Sequence, residues 1–178
     1  MKEKHTKINN GINYHGEVSI SVMDGKRKLQ SFTHNNGKKG LFNFLTNCLL
    51  GNFTAAKSSY PSKIACFGTP AGSSATARLS SFVRYDTSRW DVKNESEAGS
   101  SIYFHFRIPY VALKTGVISM LRLYVNEISG DEVAENICAE ITLDKNDYIT
   151  VPETVDGNFT IIVDWKMTLT DIKPNKEN

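Results

Sequence analysis

The stretch that decides the fold is Phe159-Thr160-Ile161-Ile162-Val163-Asp164-Trp165-Lys166-Met167-Thr168-Leu169. Phe159, Ile161, Val163, Trp165, Met167 and Leu169 alternate with Thr160, Asp164, Lys166 and Thr168. A period of two puts the first set on one face of a strand and the second on the other. The run predicts a strand roughly 35 Å long at about 3.3 Å per residue, enough to lie across a sandwich core, with Trp165 inside it.

Working outward, Val18, Ile20 and Val22 alternate in the same way from Glu17 onward. Asp24-Gly25 supplies the positive φ angles of a tight hairpin turn, so Lys26 to Phe32 is expected to return as a second strand. Its Lys26-Arg27-Lys28 run suits a solvated edge, where charge discourages stray pairing. Lys63–Phe67, Phe82–Tyr85, Ile102–Ile108 with Pro109 at its end, Val117–Val125 and Ile137–Leu143 are further β-type runs. Between the first two of these, Gly68 to Ala77 is a stretch of small residues that reads as a mobile loop.

Only between Asn36 and Gly51 does the period change. Leu41, Phe44, Leu45, Cys48 and Leu49 fall at i, i+3, i+4, i+7 and i+8, which predicts one helix over about residues 38–50 with this stripe against the core. Asn35 or Asn36 is the expected N-cap, and Gly51 fits the left-handed position after the last turn. The expected fold is mainly β: an antiparallel β-sandwich of about eight strands with one α-helix. Residues 1–16 are expected to be a flexible basic arm, 17–170 the single sandwich domain, and 171–178 a C-terminal tail.

The 178 residues are 40% hydrophobic and 22% charged, as in one globular domain, and the formal charge is +2. Residues 1–40 carry eight Lys/Arg and three Asp/Glu, net +5, and the remainder thirteen and sixteen, net −3. This charge distribution favours a basic arm on a mildly acidic body over specific nucleic-acid binding. No run is long enough to span a bilayer and no secretory signal stands at Met1–Lys7, so cytoplasmic synthesis is expected. Cys48, Cys66 and Cys138 are widely spaced among apolar residues, which predicts three buried reduced thiols.

Catalytic chemistry is not legible. His5, His15, His34 and His105 lie outside metal-ligand spacings, and His105 reads as a satisfied or surface-facing histidine. No serine sits in a nucleophile elbow, and Gly68 to Ala77 lacks a phosphate-loop ending. Asp131, Glu132, Glu135, Glu140, Asp144 and Asp147 miss the calcium-loop pattern and read as a solvated acidic face. Tyr85, Trp90, Tyr103, Tyr110 and Tyr124 could form a sugar-binding platform, or fill the core and its rim. The chain is expected to be no enzyme and to need no cofactor or metal.

Taken in order, the segments resemble the small tail, collar or baseplate proteins of tailed-bacteriophage virions. Thr33-His34-Asn35-Asn36-Gly37 before the helix is similar to that family's Thr-Asn-x-Gly start, and Ile64–Pro70 to its strand ending in Gly-Thr. Leu79 and Arg84 follow as its Leu and Arg, Gly116–Tyr124 resembles its Gly-x-Ile strand, and Ala139–Lys145 and Phe159–Leu169 match its close with a Trp-bearing strand. Its Glu-x-Gly is Met120-Leu121-Arg122 here, and Pro70 replaces its second glycine.

The resemblance implies a structural subunit of a virion, synthesised in the bacterial cytoplasm. Its expected partners are copies of itself in a ring and other tail, neck or portal-proximal proteins, with no membrane. The expected interface residues are Lys2, Lys4 and Lys7 of the arm and Lys26, Arg27 and Lys28 of the edge. To these are added Thr69, Pro70, Ser73 and Ser74 of the loop and the acidic Asp131, Glu132 and Glu135. The arm would fasten neighbouring subunits through weak exposed ion pairs repeated around the ring. The alternative is a carbohydrate-binding or adhesin-type β-sandwich that recognises a host surface.

Overall fold

A computed structural model describes residues 12–23, 28–93, 99–128, 136–155 and 158–171. Within them eleven strands and two α-helices occur: β1 (Ile12–Met23), β2 (Lys28–Gly37), α1 (Lys39–Leu49), α2 (Phe53–Ser59), β3 (Pro61–Pro70), β4 (Ala77–Arg78), β5 (Val83–Arg84), β6 (Thr87–Lys93), β7 (Gly99–Pro109), β8 (Gly116–Val125), β9 (Ile137–Thr142), β10 (Ile149–Val151) and β11 (Thr160–Asp171). All strand pairs are antiparallel, and they form two sheets of a β-sandwich-like, mainly β fold.

The first sheet runs β2-β1-β11-β7-β6, and the second places β3 and β8 at its centre with β4 and β5 on one side and β9 and β10 on the other. β11 is paired along its whole length, with Trp165 opposite Val18 on one neighbour and Phe104 on the other. β2 joins the sheets. It pairs with β1 from Lys28 to Asn35, and then its Asn36 and Gly37 pair with Glu140 and Ala139 of β9.

The core is where the inward faces meet. Val18, Ile20, Phe104, Phe106, Ile161, Val163 and Trp165 come from the first sheet, and Ile64, Cys66, Ile118, Leu121, Leu123 and Ile141 from the second. Alternation explains both sets, with the register shift at Phe67 and Gly68 putting Ile118 and Leu121, three residues apart, on the same face. The second sheet also buries part of its other face, where Ala65, Phe67, Tyr124 and Ile137 pack with Phe82, Met120 and Ile128. That is why β3 is apolar in near-continuous fashion rather than alternating.

Several sequence expectations are corrected. β1 starts at Ile12, inside the segment assigned to the arm, because backbone pairing with β11 extends to Asp171 and needs no apolar period. Asn35 and Asn36 are strand residues, and the N-cap of α1 is Lys38, which makes no side-chain capping bond. Met23 pairs with Lys28, so β2 returns along β1 as expected, and the turn between them lies outside the described residues. Gly68, Thr69 and Pro70 belong to β3, paired with β8, which shortens the expected loop to residues 71–76. α2, β4, β6 and β10 were not expected, being too short or too polar to show a period.

Candidate functional site

The least explained surface lies at the helical end of the sandwich. α1 is held there by the Lys38 N–H, which donates to the Cys138 carbonyl at 2.8 Å, and by Leu41, which is buried between the sheets. Phe44 and Leu45 are partly buried against the core. From Cys48 to Leu50 the helix end is exposed. Gly51, at φ +69, turns the chain as expected, and the Asn52 side chain accepts from the Ala55 N–H at 3.2 Å to start α2.

Large apolar side chains of α1 and the start of α2 stand in solvent. Phe42 is 54% exposed, Leu49 79%, Leu50 76% and Phe53 76%. They form an apolar ridge over the α1–α2 corner, and residues 40–56 carry no charged side chain. The predicted inward stripe therefore holds at Leu41, Phe44 and Leu45 and fails at Leu49. Cys48 is also exposed, a correction to the expectation of three buried thiols.

Beside α1 a groove of about 370 Å³ opens between the helix and the β6–β7 edge. Leu41, Phe44, Leu45, Tyr60, Pro61, Tyr85, Ile102, Phe104 and Met167 make it apolar, with Ser88 and Arg89 on its β6 side. Arg89 directs its guanidinium to the outer face of the sheet, 4.4 Å above the Tyr103 ring.

The outer face of the first sheet is a set of cross-strand rows. Glu17, Lys166, Tyr103 and Arg89 are successive partners across β1, β11, β7 and β6, with the Lys166 ammonium 2.8 Å from Glu17. The adjacent row holds His105 Nδ1 2.7 Å from Asp164 Oδ1, so His105 is a paired surface-facing residue, as expected. Arg89 at 4.4 Å and Lys166 at 5.8 Å both lie over the Tyr103 ring, where a stacking sugar would have to displace them. Tyr124 is buried, Tyr85 packs on Phe104 and Phe106, and Tyr110 bonds the carbonyls of Pro152 and Glu153. These tyrosines are not gathered into one platform. The Trp90 side chain lies outside the described residues.

Of the expected interface residues, Thr69 and Pro70 lie in β3, while Ser73 and Ser74 are exposed in the turn after it. Lys28 begins β2, and its side chain is outside the described residues, as are Lys2, Lys4, Lys7, Lys26, Arg27, Asp131, Glu132 and Glu135. The sequence reading missed the ridge because exposed apolar residues on an amphipathic helix carry no local mark. The lack of charge from 40 to 56 was the available signal.

A charged cluster lies where β8, β9 and the start of α1 meet. Arg122 Nε donates to Glu140 Oε2 at 2.7 Å, Lys38 Nζ stands 3.4 Å from Glu140 Oε1, and the Arg122 guanidinium lies 4.6 Å above the Phe67 ring. Burial acts to raise the Glu140 carboxyl, but Arg122 and Lys38 outweigh it and hold the group below its ordinary value of 4.5. A depressed carboxyl stabilises the fold above the unfolded value, and that stabilisation disappears as the pH falls through the folded one. Urea midpoints of wild type and Glu140→Gln are therefore expected to differ above pH 4.5 and to converge below it. Equal offsets at every pH would show that the ion cluster contributes nothing to stability.

Burial pushes the Cys66 thiol up to about 12 and raises Cys138 as well. A thiol reagent is expected to titrate Cys48 alone in the native protein and all three cysteines in denaturant. Fast labelling of Cys66 or Cys138 would mean that the core opens readily.

Fold and surface define a β-sandwich-like protein with an apolar helical end. No family model matches the chain, and no curated protein or solved structure is significantly similar to it. Among the described residues no group of three His, Cys, Asp or Glu side chains is placed to hold a metal ion, and no helix is long and apolar enough to cross a membrane.

Proposed function

We propose that the chain is a structural component of a tailed-bacteriophage virion, a subunit of a homo-oligomeric ring in the tail, neck or baseplate that joins neighbouring layers. The observation that carries this reading is the uncharged ridge of Phe42, Leu49, Leu50 and Phe53. Its four side chains expose on the order of 500 Å² of apolar surface, near the top of the range for the largest patch on a monomer. Such a patch is suited to permanent burial in an assembly. The order of the segments, resembling small phage virion proteins, adds the class of assembly.

A glycan-binding role has less support, because two cations already lie over Tyr103 while Tyr85 and Tyr124 are spent on packing and Tyr110 on hydrogen bonds. The test is light scattering on the purified protein together with analysis of the host particle. Ring-sized oligomers and presence of the chain in purified virions are expected. A protein absent from particles and retained by host polysaccharide would overturn the proposal.

A further inference from the structure

We infer that two copies of the chain join through the β6 edge, Thr87–Lys93 of one pairing antiparallel with the same strand of the other about a two-fold axis at Trp90. The contact does not rest on the ring reading, because an isologous pair closes on itself.

β6 ends the first sheet, and among the described residues it pairs with β7 alone. Its seven residues follow β7 without a register shift, and neither proline nor glycine interrupts them. Thr87, Ser88 and Arg89 are exposed. A regular edge strand turns one row of backbone N–H and C=O groups away from its neighbour, and that row is the template on which another strand adds.

Alternation restricts how two copies can meet. Outward backbone groups recur at every second residue, so odd positions pair with odd and even with even. Of the registers this allows, the one that pairs all seven residues sets Trp90 opposite Trp90, Arg89 opposite Asp91 and Ser88 opposite Val92. The Arg89–Asp91 pair then occurs twice, once on each side of the axis. A slip of two residues in one direction sets Arg89 against Arg89. In the other direction it sets Asp91 against Asp91 and Arg89 against Lys93. Opposite charges facing each other across a strand pair stabilise it and like charges work against it. The charges that guard this edge against foreign strands therefore admit its own copy in one register. Arg89 also lies over Tyr103, and a guanidinium over a ring still presents N–H donors to a carboxylate.

The experiment is charge exchange in the whole chain, read by sedimentation equilibrium. Wild type is expected to dimerise reversibly, and exchange of the amides of residues 87–93 to slow as its concentration rises through the transition. Arg89→Asp sets an acid against Asp91 on both sides of the axis, and Asp91→Arg sets a base against Arg89. Each variant alone is expected to associate about thirty-fold more weakly than wild type, as when two attractive cross-strand pairs turn repulsive. An equimolar mixture is expected to regain a one-to-one dimer within about threefold of wild-type affinity, since every pair again opposes a cation to an anion. Circular dichroism and melting check that each variant folds. A wild type still monomeric at about 0.5 mM, amide exchange that ignores concentration, or a mixture no tighter than its components overturns the contact. Ring-sized oligomers that neither charge reversal weakens remove the β6 contact and leave the ring. A wild-type dimer that the mixture restores and that grows no further keeps the contact and removes the ring.

Discussion

Trp165→Ala is expected to lower the unfolding free energy by about 3–5 kcal/mol, a large part of the roughly 5–15 that holds a single domain together. Trp165 is the largest fully buried side chain, and it lies in the middle of β11, the central strand of the first sheet. Val18 and Phe104 flank it across the ladder, and Val163 and Met167 share its face. Truncation would open a cavity walled by strands paired on both sides, and such walls collapse poorly.

The indole Nε1 is buried without a hydrogen-bond partner among the described residues. An orphaned buried donor works against the folded state by about 1–3 kcal/mol. Trp165→Phe removes that donor along with part of the volume, so it should destabilise less than half as much as the alanine variant. Urea unfolding of both variants checks the pair. An alanine variant melting within a degree or two of wild type would show that Trp165 is not packed as described.

The second large effect is expected where β3 and β8 come closest. A Cβ on Gly68 would collide with the Val117 carbonyl oxygen and stand 2.8 Å from the Ile118 Cα. One on Gly116 would strike the Thr69 carbonyl oxygen and stand 2.9 Å from the Pro70 Cα. The obstacles are backbone atoms of a paired ladder, beside the register shift at Phe67 and Gly68, so no side chain can swing away. Gly68→Ala is expected to cost about 3 kcal/mol or more, above the usual range for overpacking because strands must separate. Hydrogen exchange should show the loss first at residues 68–70 and 116–118. Native-like protection there in Gly68→Ala would contradict the close approach.

Gly68 also shows why a correct pattern led to a wrong element. Beside Thr69 and Pro70, with small residues following, it carries every sign of chain punctuation. Its role depends on Gly116, which stands opposite Pro70 from the far side of a long connection, and no local signal links the two. The Arg122–Glu140–Lys38 cluster is hidden in the same way, since Arg122 and Glu140 meet by β8–β9 pairing and Lys38 joins them only where β2 crosses to β9.

By itself the sequence determined what backbone geometry repeats locally. The alternation in β1 and β11, the burial of Trp165, the helix at the one change of period and the turn at Gly51 follow from side chains pointing every two residues in a strand and every 3.6 in a helix. Only the tertiary structure decided what covers each face. Leu45 and Leu49 lie one turn apart on the predicted inward stripe, yet one packs against the core and the other is in solvent. Glu17 and Lys166 meet across 149 residues. Period is a property of the chain at each point, whereas burial depends on which distant segment arrives there, and long-range antiparallel pairing selects that segment.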